Sequence, residues 1–245
     1  MTLPSAPGVS YVVVWQMPGM TREAIVPPEL HRPDIRVIVS DSRGLSVSRN
    51  IAISASDADI SMIADDDTVI LPDAFESVRK VFAAAGAPDI ALFRIAGKRK
   101  KYPASAIRIG RQLPSGYWVT SSEIVFRTAS VRRRLEFRPD FGLGAARFTA
   151  AEEAFFIADA LRTGFSIDMI PVDVCRQSSA SSGERSYTPD GGFAASQGAY
   201  IRYIHGVLWG LPRLVFFSWR AFTTHKAPFF HTLNHAFRGF ICKTT

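Results

Sequence analysis

A chain of 245 residues with 47% hydrophobic and 21% charged residues can bury a sizeable core, which excludes wholesale disorder and allows one large domain or a domain with an appendage. The net charge of +7 favours an anionic partner: a phosphorylated substrate, a membrane surface or nucleic acid. Two cysteines, Cys175 and Cys242, lie far apart without metal-ligand spacing, which excludes a disulfide framework and reads as free thiols in a reducing, cytoplasmic setting.

The opening MTLPSAPGVS lacks a basic stretch followed by a long apolar one, so no signal peptide is expected. VSYVVVWQ (9–16) is a β-branched and aromatic run suited to a buried strand. Four prolines interrupt residues 17–33, which read as irregular. DIRVIVS (34–40) is a second strand. RGLSVSRNIAISASDA (43–58) opens on a turn glycine and reads as a helix with Ser46 as N-cap. DISMIAD (59–65) is a third strand that runs into Asp65, Asp66 and Asp67. LPDAFESVRKVFAAAG (71–86) has Pro72 in its first turn and Gly86 at its end, the usual helix asymmetry. Strands follow at 89–96 and 117–127, separated by a basic connection containing Lys98, Arg99, Lys100 and Lys101, read as a solvated loop. A helix over 150–165 and a strand over 166–174 complete the alternation. Such alternation predicts a mostly parallel sheet flanked by helices, with ligands beyond the carboxyl ends of its strands. Segment 176–198 is polar, rich in Ser and Gly, and long enough to be a lid. Residues 199–240 interleave aromatics with Arg202, Arg213, Arg220, Lys226 and Arg238, with almost no acids. They are expected to form a helical tail that lies in a membrane interface, packs on the sheet or makes a homodimer contact. No segment offers about 18 uninterrupted apolar residues, so no transmembrane helix is expected.

Three features carry chemistry. Adjacent carboxylates repel, and hard cations such as Mg²⁺ or Mn²⁺ take one or two of them together with substrate phosphates. Alone, the Asp65–Asp67 triplet reads equally well as a turn that caps the next helix. GLSVSRN (44–50) can present backbone N–H groups and Arg49 to phosphate at a helix start. In FGLGAARFTAAEEAFF (141–156), Glu152 and Glu153 sit in the first turn of a helix, where one could serve as a general base. Trp118 can stack on a sugar face, although a strand tryptophan is more often core. The four histidines of the tail, His205, His225, His231 and His235, suggest no metal site.

Together, GLSVSRNIAISASDADISMIADDDTVILPD and the later FGLGAARFTAAEEAFFIADALRTGF resemble the family 2 glycosyltransferases of GT-A fold, over roughly residues 11–175. The resemblance is to a bacterial subgroup with GLSxSRN and DDD stretches. It implies a GT-A, Rossmann-like domain over 1–198 and a helical tail over 199–245. The implied activity is an inverting, metal-dependent hexosyl transfer from a nucleotide sugar, UDP- rather than GDP-linked, to the hydroxyl of a saccharide or lipid-linked saccharide. The implied setting is bacterial surface or exported polysaccharide synthesis, in the cytoplasm or peripheral on the inner face of the plasma membrane. Asp65 and Asp67 stand where the family's DXD motif holds Mn²⁺ or Mg²⁺ and the diphosphate, with Asp66 between them. Gly44, Ser48, Arg49 and Asn50 fall where the donor is held. Glu153 takes the position of the catalytic aspartate, and Glu152 is the second candidate. Only ten residues precede Tyr11, where the family has a strand–helix unit; either that unit is missing, or the true start lies upstream, or another segment fills that edge. A missing unit supports a second reading, a non-catalytic GT-A domain serving as a partner subunit. Nucleic-acid binding is not expected, because the basic residues gather into no known motif.

Overall fold

The computed structural model describes residues 3–19, 26–98, 100–114, 116–177 and 191–242. Strands β1 (Tyr11–Gln16) and β2 (Ile35–Ser40) pair in parallel as a two-stranded sheet. Helix α1 (Leu45–Ala55) leads to β3 (Ile60–Met62), and β4 (Thr68–Ile70) follows after a five-residue connection. Then come α2 (Ala74–Ala83), β5 (Ile90–Ile95), β6 (Ile107–Arg108), β7 (Ile124–Arg127), α3 (Thr128–Arg132), α4 (Glu152–Arg162) and β8 (Ile167–Gln177). The chain closes with α5 (Gly192–Thr223) and α6 (Phe229–Ile241). The expected lid at 176–198 falls largely on residues 178–190, outside the described ones; its ends belong to β8 and α5.

The second sheet has the order β3-β7-β5-β8-β4, with β6 paired to β8. Its directions are mixed, where the strand–helix alternation predicts mostly parallel pairing. β5 and β8 run parallel, but β7 lies antiparallel to β3 and β5, and both β4 and β6 run antiparallel to β8. The physical reason lies in the connections. Among the described residues β7 is reached from β5 without an intervening α-helix, through a connection that carries the two-residue β6 and ends in a 3₁₀ turn (Ser121–Glu123). The chain can then return beside β5 in the opposite sense, without the helical crossover that parallel neighbours need.

Two compact units emerge. The first comprises residues 1–43, 47–136 and 156–180, and the second 44–46, 137–155 and 181–245. The core of the first unit packs Ala74, Val78 and Phe82 of α2 onto Phe93, Val125, Val174 and Cys175 of the sheet. Phe93 is fully buried, which is worth roughly 1.5–3 kcal/mol. In the second unit Phe141, Phe148 and Phe155 stack closely, with Tyr200 and Tyr203 of α5 against Phe155. Small residues let α5 and α6 approach until backbones touch: a Cβ on Gly198 would lie 1.8 Å from the Ala236 carbonyl oxygen, and one on Gly239 equally close to that of Ala195. Among the described residues no helix is long and apolar enough to cross a membrane.

Candidate functional site

The aspartate triplet does not run from a strand into a helix. It links two short strands, β3 and β4, and the fold divides the labour among its members. Asp65 is half-buried and engaged at both oxygens: its Oδ1 accepts from Arg49 Nη2 at 3.0 Å and its Oδ2 from Ser121 Oγ at 2.6 Å. Its own N–H donates to Thr68 Oγ1 at 3.1 Å, and the Thr68 hydroxyl in turn meets Ser122 Oγ at 2.9 Å. Asp66 is exposed and Asp67 half-buried. Arg49 reaches Asp65 from the middle of α1, where its side chain is only 6% exposed. A buried guanidinium needs a carboxylate, so Arg49 and Asp65 fix each other. Ser48 and Asn50, on either side of Arg49 in α1, are half-buried.

The triplet supplies only oxygen donors, the chemistry that Mg²⁺ and Mn²⁺ accept. Among the described residues no three or more of His, Cys, Asp and Glu converge as a metal site. A cation held here would take one or two of these carboxylates, with substrate and water completing its shell.

Next to Ser121 and Ser122 lies a cluster that the sequence did not disclose. Glu123 is fully buried, and Lys100 Nζ donates to its Oε2 at 2.6 Å with the lysine side chain only 2% exposed. Tyr102 and Tyr117 hydroxyls donate to Oε1 at 2.6 and 3.0 Å, and the Thr120 N–H and hydroxyl donate to Oε2 at 2.7 and 2.9 Å. Burial, and then the Glu123 charge, push both phenols far above their ordinary range, so they remain protonated donors. The expectation of a solvated basic loop therefore fails at Lys100: its ammonium completes a buried network and also donates to the Trp118 carbonyl at 3.1 Å. Trp118 is equally unlike its expectation. It is 56% exposed beside buried Tyr117 and Val119, with Lys100 Nζ 5.3 Å from its ring centre. An indole held in water by a buried network is a ready apolar platform.

The second unit carries the other predicted residues. Gly44, at φ 107°, lies against the Gly144 backbone, and the Leu45 N–H donates to the Leu143 carbonyl at 2.8 Å. Ser46 does not cap α1. It sits inside the first turn and donates its hydroxyl to the Phe141 carbonyl at 2.6 Å, tying the helix start to the 141–144 loop. Glu152 and Glu153 open α4, as expected. Glu152 is buried against Gly142, where a Cβ would meet its carboxyl carbon at 3.0 Å, whereas Glu153 is half-exposed. Ala151, just before them, holds φ 76° without being glycine. Such strain persists only where the surroundings over-determine the backbone, and it gathers at functional positions.

Comparison with known proteins follows the same lines. Residues 22–135 match the model described as glycosyl transferase family 2; that span takes in Arg49, the aspartates and Ser121, and ends before Glu152. No curated protein sequence matches the chain. Among solved structures, residues 1–349 of S. aureus TarS in complex with UDP-GlcNAc superpose with a TM-score of 0.56 at 15% identity, over 80% of this chain and 58% of that one. The same TarS fragment alone gives 0.50 at 11% identity over 79% and 66%, and longer TarS gives 0.51 at 11% over 89% and 43%. The chain thus spans less than two thirds of the length of each of these proteins. It folds as a GT-A domain, and its residues 22–135 carry the pattern of glycosyl transferase family 2.

Proposed function

We propose that the chain is an inverting, metal-dependent glycosyltransferase that moves a sugar from a UDP-linked donor to a hydroxyl of a saccharide acceptor. The observation that carries this reading is the immobilised Asp65, locked by Arg49 and Ser121 at the head of a triplet of oxygen donors. Its place inside the segment that matches family 2 supports it, as does the UDP-GlcNAc bound by the TarS fragment of like fold. In this reading Asp65 and Asp67 would hold Mn²⁺ or Mg²⁺; Asp65 has lone pairs left after its two hydrogen bonds. The bound cation would neutralise charge on the departing diphosphate. Gly44, Ser48, Arg49, Asn50 and Asp66 would line the donor. Trp118 offers an acceptor sugar its apolar face.

Glu153 is the base. It would take a proton from the acceptor hydroxyl, whose oxygen forms the new bond to the anomeric carbon as the bond to the diphosphate oxygen breaks. The nucleotide diphosphate leaves with that electron pair. Glu152, buried against Gly142, is the structural member of the pair.

Calorimetric titration of UDP and UDP-GlcNAc with and without Mn²⁺ tests the donor half: Mn²⁺-dependent binding that is lost in Asp67→Asn is expected. Glu153→Gln should keep that binding and lose at least about 100-fold in transfer. Absence of any nucleotide binding sinks the proposal. Binding without transfer in the parent chain supports the non-catalytic partner-subunit reading instead.

A further inference from the structure

The C-terminal helices leave an apolar face uncovered. Beyond the kink at Gly206 (φ 69°), the remainder of α5 exposes Leu208, Leu211, Val215, Trp219 and Phe222, at steps of three and four residues. That spacing places them on one face of a helix. Trp209 and Phe216 widen the stripe along one edge, and the exposed Arg213 and Arg220 border it there, again at helical spacing. The opposite face of this part of α5 is buried through Gly210, Leu214, Ser218 and Ala221. Helix α6 repeats the arrangement, with Phe230, Phe237 and Ile241 exposed while Thr232, Ala236, Gly239 and Phe240 are buried. Leu208 is 77% exposed and Phe230 80%. Monomeric proteins rarely leave so many large apolar side chains in water along single helix faces.

From this face we infer a surface that docks flat on an anionic lipid bilayer, with the apolar stripes immersed at the headgroup boundary and the arginines on phosphates. Charge selects this occupant over a second copy of the chain. Residues 191–242 contain five Arg or Lys and not one Asp or Glu. A two-fold contact sets a surface against itself, so Arg213 and Arg220 would face a surface without carboxylates. Anionic headgroups supply the missing charge, and the arginine stems lie along the apolar boundary while their guanidinium groups reach the phosphates. Neither helix is long and apolar enough to cross a membrane, so the geometry is that of helices lying in the interface plane. Tryptophan and phenylalanine on the immersed side are the residues that favour this depth. The inference needs no catalytic activity and stands apart from the glycosyltransferase reading.

Vesicle flotation of the full chain tests it, using phosphatidylcholine vesicles with and without phosphatidylglycerol. Flotation with the phosphatidylglycerol vesicles only, weakening as salt is raised, is expected. Phe216→Ser with Trp219→Ser should weaken binding roughly tenfold or more, and Arg213→Gln with Arg220→Gln by a similar factor. All four side chains are exposed, so the melting temperature and circular dichroism of the variants should match the parent and exclude misfolding. Failure of the folded parent to float, or equal binding to neutral vesicles, overturns the inference. A dimer in sedimentation that Phe216→Ser with Trp219→Ser dissociates, without flotation of the parent, assigns the face to a second copy instead.

Discussion

Glu123 accepts hydrogen bonds from Lys100, Tyr102, Tyr117 and Thr120, and none of its surface reaches water. Replacing it with Gln strands a buried ammonium, which costs about 3–5 kcal/mol, because desolvation of the lysine is then unopposed. The urea midpoint of Glu123→Gln should fall accordingly, and a second change, Lys100→Met, should recover much of the loss. Equal midpoints for parent and Glu123→Gln would show that the pair contributes nothing. The aspartate triplet stood out in the sequence because adjacent carboxylates repel, although alone it read equally well as a turn. Lys100 was not, because its partner lies 23 residues away and only the folded chain reveals it. Ser121 and Ser122 were silent for a similar reason: a hydroxyl carries no pattern until something is placed opposite it. Trp118 misled in the other direction, since strand-like sequence around it suggested core, whereas β7 begins only at Ile124.

Element order was readable for the longer elements, since apolar runs and their punctuation marked where most strands and helices lie, but β4, β6 and α3 gave no such signal. Pro72 and Gly86 bracket α2, although its regular part is shorter, Ala74–Ala83. Strand direction was not readable, because nothing in the residues of β7 says that the chain will return beside β5 without a helical crossover. The two-helix tail shows the same limit. Its amphipathic character is visible in sequence, but the partner of its small residues is not. Gly198 and Gly239 permit the contact of α5 with α6, so Gly239→Val should force the helices apart at a cost of about 2–3 kcal/mol. Thermal unfolding measures this, with Gly110→Ala as control, since a Cβ at Gly110 meets nothing within 4 Å. A melt of Gly239→Val that matches the control would mean the helices do not pack this way.

For the whole molecule, the alkaline side of the stability curve is set in part by Cys175. Burial first, then Glu123, Asp65 and Asp173, push its thiol from 9.0 up to about 12. Between those values the unfolded chain releases the proton and the folded chain keeps it, so stability falls as pH rises through that window. Cys175→Ala should flatten this decline in urea titrations run at successive pH values; an unchanged slope would assign it to other groups. The GT-A architecture was legible from the sequence, and the fold agrees. What the pattern lacked was the division of the chain into units that interleave, with residues 44–46 and 137–155 grouped with the C-terminal helices.

The tripeptide Ser121–Ser122–Glu123 has one more consequence. Three consecutive side chains hold, in turn, Asp65, Thr68 and Lys100, whose ammonium also reaches the Trp118 carbonyl. A single short turn is thus a mechanical link between the acid proposed for the donor and the indole proposed for the acceptor. If the turn couples donor and acceptor, the coupling is reciprocal: the factor by which a bound acceptor changes donor affinity is the factor by which a bound donor changes acceptor affinity. Glu123→Gln, a change made on the acceptor side of the turn, should therefore also shift the affinity for UDP.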